Sequence, residues 1–71
     1  MEITVGTIKR TFFVKHPYGA RYEIVAGGGF FMPIVGVFDS PDMTINERKN
    51  MAVVCCAALN GCDVSQVKVE E

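Results

Sequence analysis

The chain has 71 residues and a mass of 7.8 kDa, which allows one small domain where typical domains run about 100 to 150 residues. That excludes dinucleotide folds, barrels of helices and strands, and multidomain enzymes. With 49% hydrophobic and 21% charged residues the composition is globular rather than disordered, and a net charge of −1 supplies no general pull toward nucleic acid or an anionic membrane.

A domain this small has a thin core and often needs a staple: disulfides, a metal or a partner subunit. The charges divide unevenly. Residues 1 to 38 hold Lys9, Arg10, Lys15 and Arg21 against Glu2 and Glu23, a balance of +2, whereas residues 39 to 71 balance to −3.

In chain order, Ile3 and Val5, then Ile8, Phe12 and Val14, follow a period of two whose phase breaks at Gly6, where a bulge or kink belongs. Residues 2–15 are therefore predicted as one long bent strand or two short ones. His16-Pro17-Tyr18-Gly19 supplies a turn, with proline presetting φ and glycine accepting a positive one. Residues 20–26 alternate again, Tyr22, Ile24 and Ala26 on one face, as a second strand.

Gly27-Gly28-Gly29 opens a loop, and Phe30 to Phe38 is an apolar run of strand length and strand composition. Pro33 interrupts it. Proline cannot donate to a ladder, so this strand lies at an edge, starts after Pro33, or carries a bulge there. Asp39-Ser40-Pro41-Asp42 is a turn cluster.

Thr44-Ile45-Asn46-Glu47 fits a capping box and Gly61 sits where a left-handed cap is wanted, which predicts a helix over 45–60. Val64, Val67 and Val69 then read as a short fourth strand or an ordered tail. The expected class is α+β: a three- or four-stranded antiparallel sheet with one helix on a face, β-β-β-α with the fourth strand C-terminal if it forms.

Two features imply a partner. The helix is apolar without a break from Met51 to Leu59, which runs round its circumference, while a helix resting on one sheet buries only a stripe. Phe12-Phe13-Val14 and Phe30-Phe31-Met32 likewise place large side chains on both faces of their strands. A homodimer through the second sheet face or the helix back, with Phe13, Phe31, Met51 and Val54 at the contact, would cover this surface. The alternative is a monomer whose exposed helix face, small at Ala52, Ala57 and Ala58, stays in water.

The chemistry-bearing residues are few. Cys55, Cys56 and Cys62 are odd in number, two are adjacent, and neither C-x-x-C nor a clustered histidine is present, so neither a disulfide framework nor a four-ligand zinc site is expected. Core thiols in a reducing, cytoplasmic setting are the expectation, with no signal segment and no membrane-spanning run. The only histidine, His16, lies far in sequence from these thiols, so no cysteine nucleophile is expected.

Gly27-Gly28-Gly29 lacks the Lys-Ser/Thr pair and following helix of a phosphate loop. Asp39, Asp42 and Glu47 serve the turn and the helix dipole. No cofactor and no enzymatic activity are expected.

The remaining cluster is His16 and Tyr18 at the hairpin, framed by Lys9, Arg10, Lys15 and Arg21. Cations around a stacking ring can clamp a phosphate backbone or single-stranded base, or dock on an acidic protein surface. They can equally be a solvated turn that keeps a strand edge from aggregating.

The segment from Val37-Phe38-Asp39 through Thr44, Glu47-Arg48 and Met51-Ala52 to Ala57-Ala58-Leu59 resembles small accessory proteins of phages and prophages, in which a strand, an acidic turn and an Ala-rich helix follow one another. It covers roughly a third of the chain, and here Val53-Val54-Cys55-Cys56 interrupts the Ala-rich run. The resemblance implies a protein that binds and occludes a host defence protein or nucleoprotein complex, as inhibitors of the anti-CRISPR kind do; no active-site residues follow from it. The alternatives are a nucleic-acid module using the basic hairpin, and a small subunit or toxin–antitoxin component.

Overall fold

A computed structural model describes residues 10–70; of the strand expected over residues 2–15, the part up to residue 9 lies outside them, and the described part is strand only from Phe12. The described chain forms β1 (Phe12–Tyr18), β2 (Arg21–Ala26), β3 (Ile34–Phe38), α1 (Ile45–Asn60), a single 3-10 turn at Val64–Gln66 and β4 (Val69–Glu70). The strands make one sheet in the order β3-β2-β1-β4 with the helix packed on it. This is the expected α+β class with the fourth strand present.

One correction concerns direction. β1–β2 and β2–β3 are antiparallel, but β4 joins β1 in parallel, Val14 opposite Val69 and Lys15 opposite Glu70, so the sheet is mixed. The helix supplies the reversal: it carries the chain back along the sheet, so β4 sets out in the direction of β1.

The first turn also differs. β1 runs on through His16 and Pro17, and the reversal occurs at Gly19 and Ala20. The β1–β2 register slips between Lys15 and Tyr18, and this irregularity accommodates Pro17, which has no N–H to give the ladder. Gly19 takes φ +54°, the conformation that costs a side chain and that the turn needs.

The third strand is shorter than the apolar run that encodes it. It begins after Pro33, whose carbonyl accepts from the Ala26 N–H at 3.0 Å, and Phe30 to Met32 remain outside the sheet. A second irregularity falls between Ile34 and Gly36, where Val35 is the extra residue against β2.

α1 has the ends its sequence prescribes. The Thr44 hydroxyl accepts from the Glu47 N–H at 3.1 Å while the Glu47 carboxylate accepts from the Thr44 N–H at 3.2 Å. Gly61, at φ +66°, closes the other end, with the Cys62 N–H bonded to the Ala57 carbonyl at 3.0 Å.

The core is Phe12, Val14, Tyr22, Ile24 and Ala26 from the sheet against Ala52 and Cys56 from the helix, edged by Phe38, Val53, Cys55, Val67 and Val69. The even-numbered strand residues share one face by the period of two. On the helix, Arg48, Ala52, Cys56 and Asn60 recur every four residues and form the line nearest the sheet.

The two ends of that line are polar clamps. Arg48 donates through Nε to the Ser40 carbonyl and through Nη1 to the Ala20 carbonyl, both at 2.9 Å, tying the first helical turns to the hairpin and to the loop before the helix. Asn60 accepts from the Phe12 N–H at 2.8 Å and donates to the Phe12 carbonyl at 2.7 Å. Its amide thus satisfies both backbone groups of β1 at a point on the edge that β4 does not reach; Val14 is the next position, bonded to the Lys68 carbonyl at 3.1 Å.

Replacing Asn60 by alanine removes both bonds and leaves a partly buried donor and acceptor unmatched, a loss of about 1–3 kcal/mol in urea denaturation. Asn60→Asp keeps an acceptor for the Phe12 N–H but turns an oxygen on the Phe12 carbonyl, so it does not recover the wild-type midpoint at neutral pH.

Candidate interaction surface

The residues expected to form one basic cluster occupy different places. Lys9 lies outside the described residues. Arg10 precedes β1 and lies against the glycine loop, where a Cβ on Gly29 would stand 3.2 Å from its guanidinium. Lys15, His16, Tyr18 and Arg21 lie toward the opposite end of β1, which at about 3.3 Å per residue spans some 20 Å. The cations therefore do not make one track.

Most of the hairpin residues are also engaged. Arg21 donates to the Glu23 carboxylate at 2.6 Å and to Asp39 at 3.1 Å, joining β2 to the end of β3. The hydrogen bond to Glu23, with help from Tyr18 and Asp39, holds its pKa above the ordinary guanidinium value against the effect of burial. Glu23 is only 8% exposed although it sits on the sheet face away from the helix, opposite Lys15 on β1 and Val37 on β3. A carboxylate taken this far out of water requires charge and hydrogen bonds nearby, and Arg21 provides both.

His16 stacks on the buried Tyr22, ring centroids 4.3 Å apart and planes within 8°, and its Nε2 meets the Gly19 carbonyl. It is a turn-fixing residue. The Lys15 ammonium lies 5.8 Å from the centre of the Phe13 ring, a cation–π contact. Tyr18, 68% exposed, is the part of the hairpin that presents a ring to solvent.

The surface expected to bring copies together is distributed as well. Phe13 is half-buried and leans over Gly27, where a Cβ would stand 3.0 Å from the ring, so this phenylalanine covers its own strand pair. Met51 and Val54 do face outward on α1, lining a shallow groove with Asn50 and Cys55. The unbroken apolar helix segment thus splits as its length implied: Ala52, Cys56 and Ala57 inward, and Met51, Val54, Ala58 and Leu59 outward.

The most exposed large apolar side chains among the described residues are elsewhere. Phe30 is 94% exposed and Phe31 77%, their rings in edge contact at 5.1 Å, followed by the exposed Met32, Ile34, Val35 and Val37. Composition alone assigns Phe30, Phe31 and Met32 to a strand; the glycines before them and Pro33 after them instead hold them in the loop between β2 and β3. The sequence signal for this surface is the uncharged stretch from Gly27 to Phe38.

Cys55, Cys56 and Cys62 are free thiols, and no group of three or more metal-ligating side chains forms among the described residues. Burial, assisted by Cys62, pushes the Cys56 thiol above its ordinary value of 9.0. Because the unfolded chain ionises this thiol first, the unfolded state holds fewer protons as pH rises past 9, and the folded state loses stability there. No described helix is long and apolar enough to cross a membrane.

Arg21→Ala lowers the melting temperature by stranding Glu23, and adding Glu23→Gln to it recovers part of the loss. Cys56→Ala flattens the decline of stability above about pH 9 relative to wild type, measured by urea denaturation across pH, and native Cys56 resists alkylation at neutral pH while Cys55 and Cys62, both half-buried, react sooner. No family model, curated protein or solved structure matches the chain, so its functional reading rests on the surface just described.

Proposed function

We propose that this chain is a non-enzymatic protein-binding module whose contact surface is the open edge of β3 together with the Phe30–Met32 loop. The observation that carries the reading is the exposed aromatic pair Phe30 and Phe31, continuous with half-exposed aliphatic side chains on an edge strand. Exposed apolar area of this kind, collected at one edge, marks an interaction site, and aromatic anchors are the side chains that concentrate binding energy.

The resemblance of Val37–Leu59 to phage accessory proteins supports a host defence protein or nucleoprotein complex as the partner, which the module occludes. Three free thiols suit a reducing compartment such as the cytoplasm. The nucleic-acid alternative loses support because Arg21 is neutralised by two carboxylates, His16 is held against Tyr22, and Arg10 stands at the other end of the sheet.

Affinity capture from a bacterial lysate tests the assignment with two variants, Phe30→Ser/Phe31→Ser and Lys15→Ala/Tyr18→Ala. Loss of a captured protein by more than tenfold in the first, with retention in the second, is the expected result. The reverse pattern moves the contact to the hairpin. Capture of nucleic acid that falls steeply between low and physiological salt overturns the protein-binding assignment.

A further inference from the structure

We infer that the outer edge of β3 pairs with β3 of a second copy of this chain, antiparallel and about a twofold axis, joining two sheets into one; this rests on the protein-binding reading above but makes a second copy, in place of a host protein, the occupant of that edge. β3 ends the strand order, with no described residue hydrogen-bonded along its outer side. The direction of its backbone groups follows from the ladder. The Gly27 N–H bonds to Thr11 and the Ala26 N–H to Pro33, so odd positions of β2 turn toward β1 and even positions toward β3. Gly36 and Phe38, opposite Ile24 and Tyr22, therefore bond inward, and Val37 between them turns its N–H and C=O to the open side.

A natural edge strand is protected against such pairing by lysines, prolines or charges. β3 reads Ile-Val-Gly-Val-Phe and has none of these; its irregularity at Val35 precedes the regular stretch from Gly36 to Phe38. The absence of charge from Gly27 to Phe38 suits self-pairing, because groups close to a twofold axis stand near their own copies and a charge there would meet its like. A heterologous partner imposes no such condition.

The area suffices. Phe30 and Phe31 alone offer about 300 Å² at the size of aromatic side chains. With Met32, Ile34, Val35, Val37 and the strand backbone, two copies together cover about 1,000 Å², the lower bound for a specific interface. Antiparallel pairing also sets each copy's Phe30–Met32 loop beside the end of the other copy's strand.

Sedimentation equilibrium of the full chain at tens to hundreds of micromolar tests this. Val37→Pro removes an outward N–H without touching the β2–β3 ladder, and Val35→Lys places a charge near its own copy; each is expected to halve the mass, or to weaken the dimer at least tenfold, with an unchanged circular dichroism spectrum. Met51→Glu/Val54→Glu is expected to remain dimeric.

A wild-type monomer overturns the inference, as does a dimer lost only in the helix variant. A monomer that still captures a lysate protein through Phe30 and Phe31 discards self-pairing and leaves the protein-binding reading standing. A monomer that captures nothing discards both.

Discussion

The helix meets the sheet along one line of side chains, Arg48, Ala52, Cys56 and Asn60, and the rest of the molecule is arranged around that contact. The two middle residues are fully buried and small, so the helix axis can lie close over β1 and β2. The two end residues are polar and reach past the core to backbone groups, Arg48 to the carbonyls of Ala20 and Ser40 and Asn60 to both groups of Phe12. A chain of this size has few large aliphatic residues to spend on a core, and leucine occurs once. Charge-assisted and bidentate hydrogen bonds at the ends hold the helix in register where apolar area alone is thin.

Among the described residues, this arrangement leaves the opposite side of the helix and the outer edge of β3 without a partner. The helix is apolar all round because its inward line needs small residues and its outward line carries Met51, Val54 and Leu59. The β3 edge is apolar because the same stretch that forms the strand also forms the loop before it. Of the two, the edge carries the aromatic pair and unpaired backbone groups, whereas the helix groove is shallow and holds one methionine and one valine. The proposed interaction surface is therefore placed at the edge.

The central sheet face away from the helix is built differently, around charge. Arg21, Glu23, Asp39 and Lys15 are brought together from three strands or their ends. Arg21 is thereby taken up by two carboxylates, and Lys15 lies over the Phe13 ring. His16 undergoes the same change of role, from a candidate contact residue to the ring that packs the turn on Tyr22.

The sequence by itself determined what depends on neighbours in the chain. The helix limits were legible at Thr44, Glu47 and Gly61 because caps are local hydrogen-bond geometry, and the break at Pro33 was legible because proline has no N–H to donate. The alternation of Tyr22, Ile24 and Ala26 likewise named the side of β2 that joins the core with the helix, but the other side is not the wetter face that alternation implies, since Glu23 and Val25 are buried too. Only the tertiary structure decided what depends on residues brought together from afar. Arg48 and Asn60 carried no motif, since their partners stand 28 and 48 residues away. The parallel β4 depended on where the helix returned the chain. The fate of Arg21 depended in part on Asp39, which reaches it only once β2 and β3 lie side by side, whereas Glu23 stands two residues away on the same strand. Charge along a chain is additive, but charge on a folded surface is what remains after such pairs have formed, and here the remainder is an apolar edge.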